Sequence, residues 1–282
     1  MSILPSGPEP RDNLSIEPPA DAAHGAPVSG VASLSTALAN LRRRVVRSAN
    51  ISIDMLEASL HALHNADHLV AEQVRLRDDA IDNEEVWIEQ ECLRLLTLQR
   101  PYGQDFRLLT FCMKVNGDIE RVADHATSIA KIALQIDPNE IPNWPTALVE
   151  LGDRIPVMCH SLLRAVLDED VDAAMRLVHG DKVIDQLDKQ LFQEINDWIR
   201  SRPEDATPAL LAYRLGRELE RVGDLMTNIA EDIVYLVTGR IIRHQRDATT
   251  HTPEHPTGTR ADGQAADTRN GVKKPDQPAG DV

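Results

Sequence analysis

A chain of 282 residues has room for one large or two medium domains with a sizeable core. Aromatic residues make up only 3% of it, so that core must be Leu, Ile, Val and Ala, a composition typical of helices packed on helices. The formal charge is −15, of which residues 1–32 carry −3 and residues 247–282 carry −2, leaving about −10 on the folded part. Such a surface repels phosphate backbones, which argues against nucleic acid as a partner, and it favours cations and basic protein surfaces.

Residues 1–32, with PSGPEP and EPPADAAHGAP, are predicted to be a disordered tail, because they cannot bury enough apolar area to offset ordering entropy. Six helical segments follow, and no period-two alternation of branched residues marks a strand. The first runs from about Ser33 to His64. The second, from about Asp67 to Gln99, places Val74, Ile81, Ile88 and Leu95 at every seventh position. Pro101 and Gly103 break the chain before the third, from about Asp105 to Ile136. The Pro138, Pro142 and Pro145 cluster then reads as a linker. The fourth covers about Pro145 to Leu167, with Pro156 expected to kink it or sit near a break. The fifth covers about Val171 to Arg200 with Asp170 as N-cap, and the sixth about Pro208 to Arg243. Residues 245–282 read as a second disordered tail. Arg240, Arg243 and His244 would sit at the end of the sixth helix, where the helix dipole favours them.

Long helices joined by short turns predict an all-α fold of two tandem three-helix bundles related by an internal repeat. The boundaries are a tail over 1–32, a first repeat over 33–137, a linker over 138–144, a second repeat over 145–244 and a tail over 245–282. The repeat is explicit in DIERVADHATSIAKIA from Asp118 and ELERVGDLMTNIAEDI from Glu218, which match at a constant separation of 100 residues. Upstream, Ile81, Asp82 and Glu85 match Ile184, Asp185 and Asp188 at a separation of 103, so the halves differ by three residues near Arg100 to Gly103.

On the third helix, Ile119, Val122, Ala126, Ile129, Ala133 and Ile136 mark a buried seam, and the phase of 100° per residue turns Glu120 and Asp124 away from it. Leu219, Val222, Met226, Ile229, Ile233 and Leu236 do the same for Glu220 and Asp224. If successive helices are antiparallel, Asp82 and Glu85 face Glu120 and Asp124 across a shallow groove, and Asp185 and Asp188 face Glu220 and Asp224. Four carboxylates per half repel unless a cation bridges them, and hard oxygen ligands suit Mg, Ca, Mn or iron. Asn228 would add an amide oxygen to the second set, where the first has Ser128, so the second site is expected to be better furnished. The bland alternative is a solvated acidic face with Arg121 and Arg221 as partial compensation.

Catalysis is not expected. A di-iron carboxylate site wants interior Glu-x-x-His pairs, whereas His125 stands five residues after Glu120 and Leu225 is its counterpart. No phosphate-binding loop, nucleophile elbow or dinucleotide fingerprint occurs. Cys92, Cys112 and Cys159 fit neither a disulfide framework nor a metal site and read as reduced core residues. With no charged leader and no long apolar run, a soluble cytoplasmic protein is expected.

The doubled ERVADHATSIA and ERVGDLMTNIAE, the upstream acidic blocks, QRPYGQDFRLL and VYLVTGRIIRH together resemble the PhoU family of accessory regulators of bacterial phosphate-specific transport, over about Leu34 to His244. That resemblance implies metal sites on the bundle surface at Asp82, Glu85, Glu120 and Asp124, and at Asp185, Asp188, Glu220, Asp224 and Asn228, holding iron, manganese, magnesium or zinc. It implies negative regulation of phosphate uptake and of the phosphate-starvation response, through the ATPase subunit of a phosphate ABC transporter and a sensor histidine kinase. A homodimer that reaches the membrane only through its partners is expected. Ala123 departs from the family's usual Gly, kept at Gly223, and Ser128 from a common Asn, which puts metal occupancy of the first half in question. A metal-storage or redox helical protein and a metal-free helical scaffold remain as alternatives.

Overall fold

The structure, a computed structural model, describes residues 33–242. Both expected tails, with Arg243 and His244, lie outside the described residues. The elements are α1 (Leu34–Asn65), α2 (His68–Gln99), α3 (Gln104–Ala133), α4 (Thr146–Asp168), α5 (Val171–Ser201) and α6 (Ala206–Thr238), with a 3-10 turn, Pro203–Asp205, before α6. No strand occurs among the described residues.

Helices start where a side chain can satisfy a backbone N–H that lacks an intrahelical partner. Asp67 accepts from the N–H groups of Leu69 and Val70, both at 3.1 Å, and Asp170 accepts from Ala173 N–H at 2.9 Å. Each such cap is worth about 1 kcal/mol. The first turn of α4 has no cap of its own, and Glu194 on α5 accepts from Ala147 N–H at 3.0 Å instead. α1 and α4 both end on a left-handed residue directly before the capping aspartate of the next helix, Ala66 with φ 48° and Glu169 with φ 52°. These joints lie 103 positions apart, the same separation as the acidic blocks on α2 and α5. Arg42 Nη1 holds the Glu169 carboxylate at 2.9 Å.

One boundary differs from expectation. α6 stops at Thr238 and not near Arg243, because Gly239 takes φ 72° and its N–H bonds Tyr235 O at 2.8 Å. Glycine just past a helix end is the usual stop. α4, Thr146–Asp168, agrees with its expected range and contains Pro156 without ending there.

α1, α2 and α3 pack as one three-helix bundle and α4, α5 and α6 as the other, as the repeat predicts. The expected seams on α3 and α6 are buried throughout. The bundles join along α3 against α6, with α1 against α4 alongside. α3 and α6 run antiparallel: Arg107 Nε donates to Leu236 O at 3.1 Å, Lys114 Nζ meets buried Asp232 at 3.2 Å, and His125 Nδ1 meets Glu218 Oε2 at 2.6 Å. No helix among the described residues is long and apolar enough to cross a membrane.

Candidate functional site

In the first half, the seam of α2 (Val74, Ile81, Ile88 and Leu95) is buried, which leaves Asp78, Asp82 and Glu85 along the edge facing α3. Two hydrogen bonds fix the register of the helices on either side of the acids: Asn116 Nδ2 donates to Glu85 O at 2.8 Å, and Thr127 Oγ1 donates to Asp78 Oδ1 at 3.1 Å. Glu120 lies between. Burial pushes its pKa up, and Asp124, Asp82 and Glu85 push the same way, with Arg121 only partly offsetting them. The four expected residues therefore share one electrostatic site. Glu85 is likewise raised by burial, then by Glu89 and Asp82.

Asp78 is a fifth member that the spacing argument missed. Its pKa is raised by burial and by Asp124 and Asp82, against the Thr127 hydrogen bond. Its place one helical turn before Asp82 was the available signal. Asn116 is only 2% exposed, and its Oδ1 has no hydrogen-bond partner.

The second half is built differently. Arg217, which sequence reasoning passed over, lies between α5 and α6 with Nη1 3.4 Å from both Asp188 oxygens and Nη2 3.2 Å from Glu220 Oε2. Burial works against its charge, but Glu220 and Asp188 outweigh that and raise its pKa. Glu220 is raised by burial and Asp224, while Arg217 pulls it down. The contact with Glu220 is an ion pair by distance without hydrogen-bond alignment, since that buried Oε2 has no hydrogen-bond partner. Asp185 and Asn228 are exposed, and Asp185 is not among the groups that shift Glu220.

The residue 100 positions before Arg217 is Gly117, and a Cβ placed there would meet nothing within 4 Å. The expectation that the second site is the better furnished is thus reversed in one respect, because the protein's own cation already stands among its acids. Arg121 and Arg221 are exposed, and Arg121 pairs with Asp118 at 3.2 Å and not with Glu120.

Gly223, where the first half has Ala123, has a packing reason. A Cβ on Gly223 would approach Ile155 and Ile184 to 3.3 Å, so the glycine serves close contact of α6 with α4 and α5. Gly216 is tighter still, with Leu191 Cδ2 2.1 Å from an added Cβ.

The donor chemistry of the first cluster, carboxylates beside an amide oxygen, fits a hard cation. Among the described residues, no three His, Cys, Asp or Glu side chains already stand in position to hold one, so binding requires rotamers to close inward. His125 is turned to Glu218 across the α3–α6 joint. The three cysteines are free and buried, and burial pushes each thiol up to about 12.

Comparison with known proteins gives one answer. The PhoU domain model matches twice, over residues 45–133 and 148–233. The phosphate-specific transport system accessory protein PhoU homolog of Pseudomonas putida is 32% identical over 208 residues, 73% of this chain and 81% of that protein. The PhoU accessory protein of Escherichia coli K12 is 28% identical over 207 residues, 73% of this chain and 86% of its own. Among solved structures, PhoU from Pseudomonas aeruginosa superposes with TM-score 0.69 at 30% identity, covering 73% of this chain and all of that one. The phosphate transport system regulatory protein PhoU from Streptococcus pneumoniae gives 0.68 at 29%, covering 74% and 98%. With two matched domains, a matching helical architecture and the doubled acidic motif, the chain belongs to the PhoU family.

Proposed function

We propose that this protein is an accessory regulator of phosphate transport that restrains phosphate uptake and the phosphate-starvation response when phosphate is plentiful. It acts as a homodimer by contacting the ATPase subunit of a phosphate ABC transporter and a sensor histidine kinase, with carboxylate-bound metal assisting the contact. The observation that carries the regulatory reading is family membership over both halves, with relatives named as transport-system accessory and regulatory proteins. Support for the metal is the first cluster, where Asp78, Glu85 and Glu120 are all raised in pKa by burial and by neighbouring acids. A cation held by Asp82, Glu85, Glu120 and Asp124 would relieve that repulsion and present positive charge on an otherwise acidic surface. The second set, Asp185, Asp188, Glu220, Asp224 and Asn228, would take one only by displacing Arg217.

The test is binding of the purified chain to the transporter ATPase and to the kinase, with divalent metal and with chelator. Binding to one or both that strengthens with metal is expected. No binding to either partner under either condition overturns the reading.

A further inference from the structure

The α2–α3 turn and the end of α6 lie together at one end of the molecule. Arg107 Nε donates to Leu236 O at 3.1 Å, and a Cβ on Gly239 would stand 3.9 Å from Arg107 Cδ. The turn holds two left-handed residues, Arg100 at φ 44° and Gly103 at φ 60°. Tyr102 on the turn is 89% exposed, Leu98 at the end of α2 is 65% exposed, and Phe106 at the start of α3 is exposed as well. Burying any of these is worth roughly as much as burying a core side chain, yet no described residue covers them. Arg100 and Arg240 flank the patch, both exposed and with no carboxylate within 4 Å among the described residues. Asp105 is the single acid between positions 98 and 107.

The fold does not demand this composition. The equivalent turn in the other half is the polar 3-10 turn Pro203–Asp205, where Asp205 pairs with Arg202 at 3.2 Å and accepts from Trp198 Nε1 at 3.0 Å.

We propose that this end of the molecule inserts into the interface of an anionic lipid bilayer, with Leu98, Tyr102 and Phe106 entering the headgroup region and Arg100 and Arg240 against lipid phosphates. An end that exposes aliphatic and aromatic side chains beside two exposed arginines suits a soft interface, where such residues concentrate. With a chain charge of −15, only an end with local basic excess can approach a negative surface, which orients the molecule tip first. The contact is direct and needs no protein partner, beyond the expected indirect route to the membrane.

The experiment is flotation of the full chain with vesicles of phosphatidylglycerol and phosphatidylcholine in equal parts, against pure phosphatidylcholine. Preferential binding to the anionic vesicles is expected. Leu98→Ser with Tyr102→Ser should abolish it at unchanged helicity and melting temperature, because both side chains are exposed. Arg100→Ala and Arg240→Ala should each lower the partition coefficient about fivefold at low salt. Leu69→Ser with Leu76→Ser, equally exposed on α2 but away from the tip, should bind like the wild type. Absence of wild-type binding, or retained binding by the Leu98 and Tyr102 double variant, overturns the proposal. The assay contains lipid alone, so its failure leaves the regulatory reading standing.

Discussion

The two acidic clusters descend from one repeated unit, yet they meet the same electrostatic problem in two ways. In the first half, Asp78, Asp82, Glu85, Glu120 and Asp124 converge with an open position at Gly117, and repulsion accumulates as raised pKa values. In the second, Arg217 enters from that register position and pairs with Asp188 and Glu220. One exchange, glycine against arginine, separates acids that gain no arginine from that position from acids that Arg217 pairs. The packing differs in parallel: Asn116 spans from α3 to α2 where Gly216 lets α6 close directly on Leu191.

The largest expected difference is metal stabilisation. A divalent ion at about 100 times its Kd should stabilise the wild type by about 2.7 kcal/mol through mass action. Glu120→Ala with Asp124→Ala should remove most of that gain, and Glu220→Ala with Asp224→Ala much less, as read by melting curves with and without chelator. Next comes packing. Gly216→Ala drives a Cβ into Leu191 and should cost about 1 to 3 kcal/mol, whereas Asn116→Ala loses the hydrogen bond to Glu85 O but also removes an unpaired buried oxygen, and should cost about 1 kcal/mol; urea denaturation reads both.

How much of this contrast can be read from the chain depends on whether the partner is local. The acids of the first cluster follow from helical phase, because the seven-residue seam on α2 and the three-four seam on α3 leave Asp82, Glu85, Glu120 and Asp124 on facing edges. Asp67 and Asp170 announce their helix starts by type and place. Asp78 does not stand out, since what ties it into the site is Thr127 on another helix. Arg217 is hidden by Arg221, which sits inside the motif and looks like the compensating charge, yet is exposed. Gly223 resembles a motif glycine, but its reason is contact with Ile155 and Ile184, two residues on other helices that no spacing rule points to. The end of α6 at Gly239 is of a legible kind, since glycine is the usual residue just past a helix end.

Smaller effects sharpen the comparison further. Arg217→Met leaves Asp188 and Glu220 without their shared arginine and should cost about 1 kcal/mol, the upper range for a partly exposed pair, while making the second half gain metal-dependent stability. Glu120→Gln should do the opposite in chelator and stabilise by a few tenths of a kcal/mol, about the size of a like-charge contact. Its sign follows from linkage. Glu120 has a raised folded-state pKa, so its favourable contribution is complete below the unfolded value of about 4.3 and is lost as pH rises through the folded one. The advantage of Glu120→Gln should therefore be present at pH about 7 and vanish toward pH about 4 in melting experiments.

The most direct test counts cations. Isothermal titration of manganese into chelator-treated protein, comparing the wild type with Glu120→Gln, Asp124→Asn and with Glu220→Gln, Asp224→Asn, reads which cluster holds the tight site. The account predicts that the first pair of substitutions abolishes tight binding, that the second pair leaves it nearly unchanged, and that Arg217→Met adds a site. Tight binding that survives loss of Glu120 and Asp124 and disappears with Glu220 and Asp224 would contradict it.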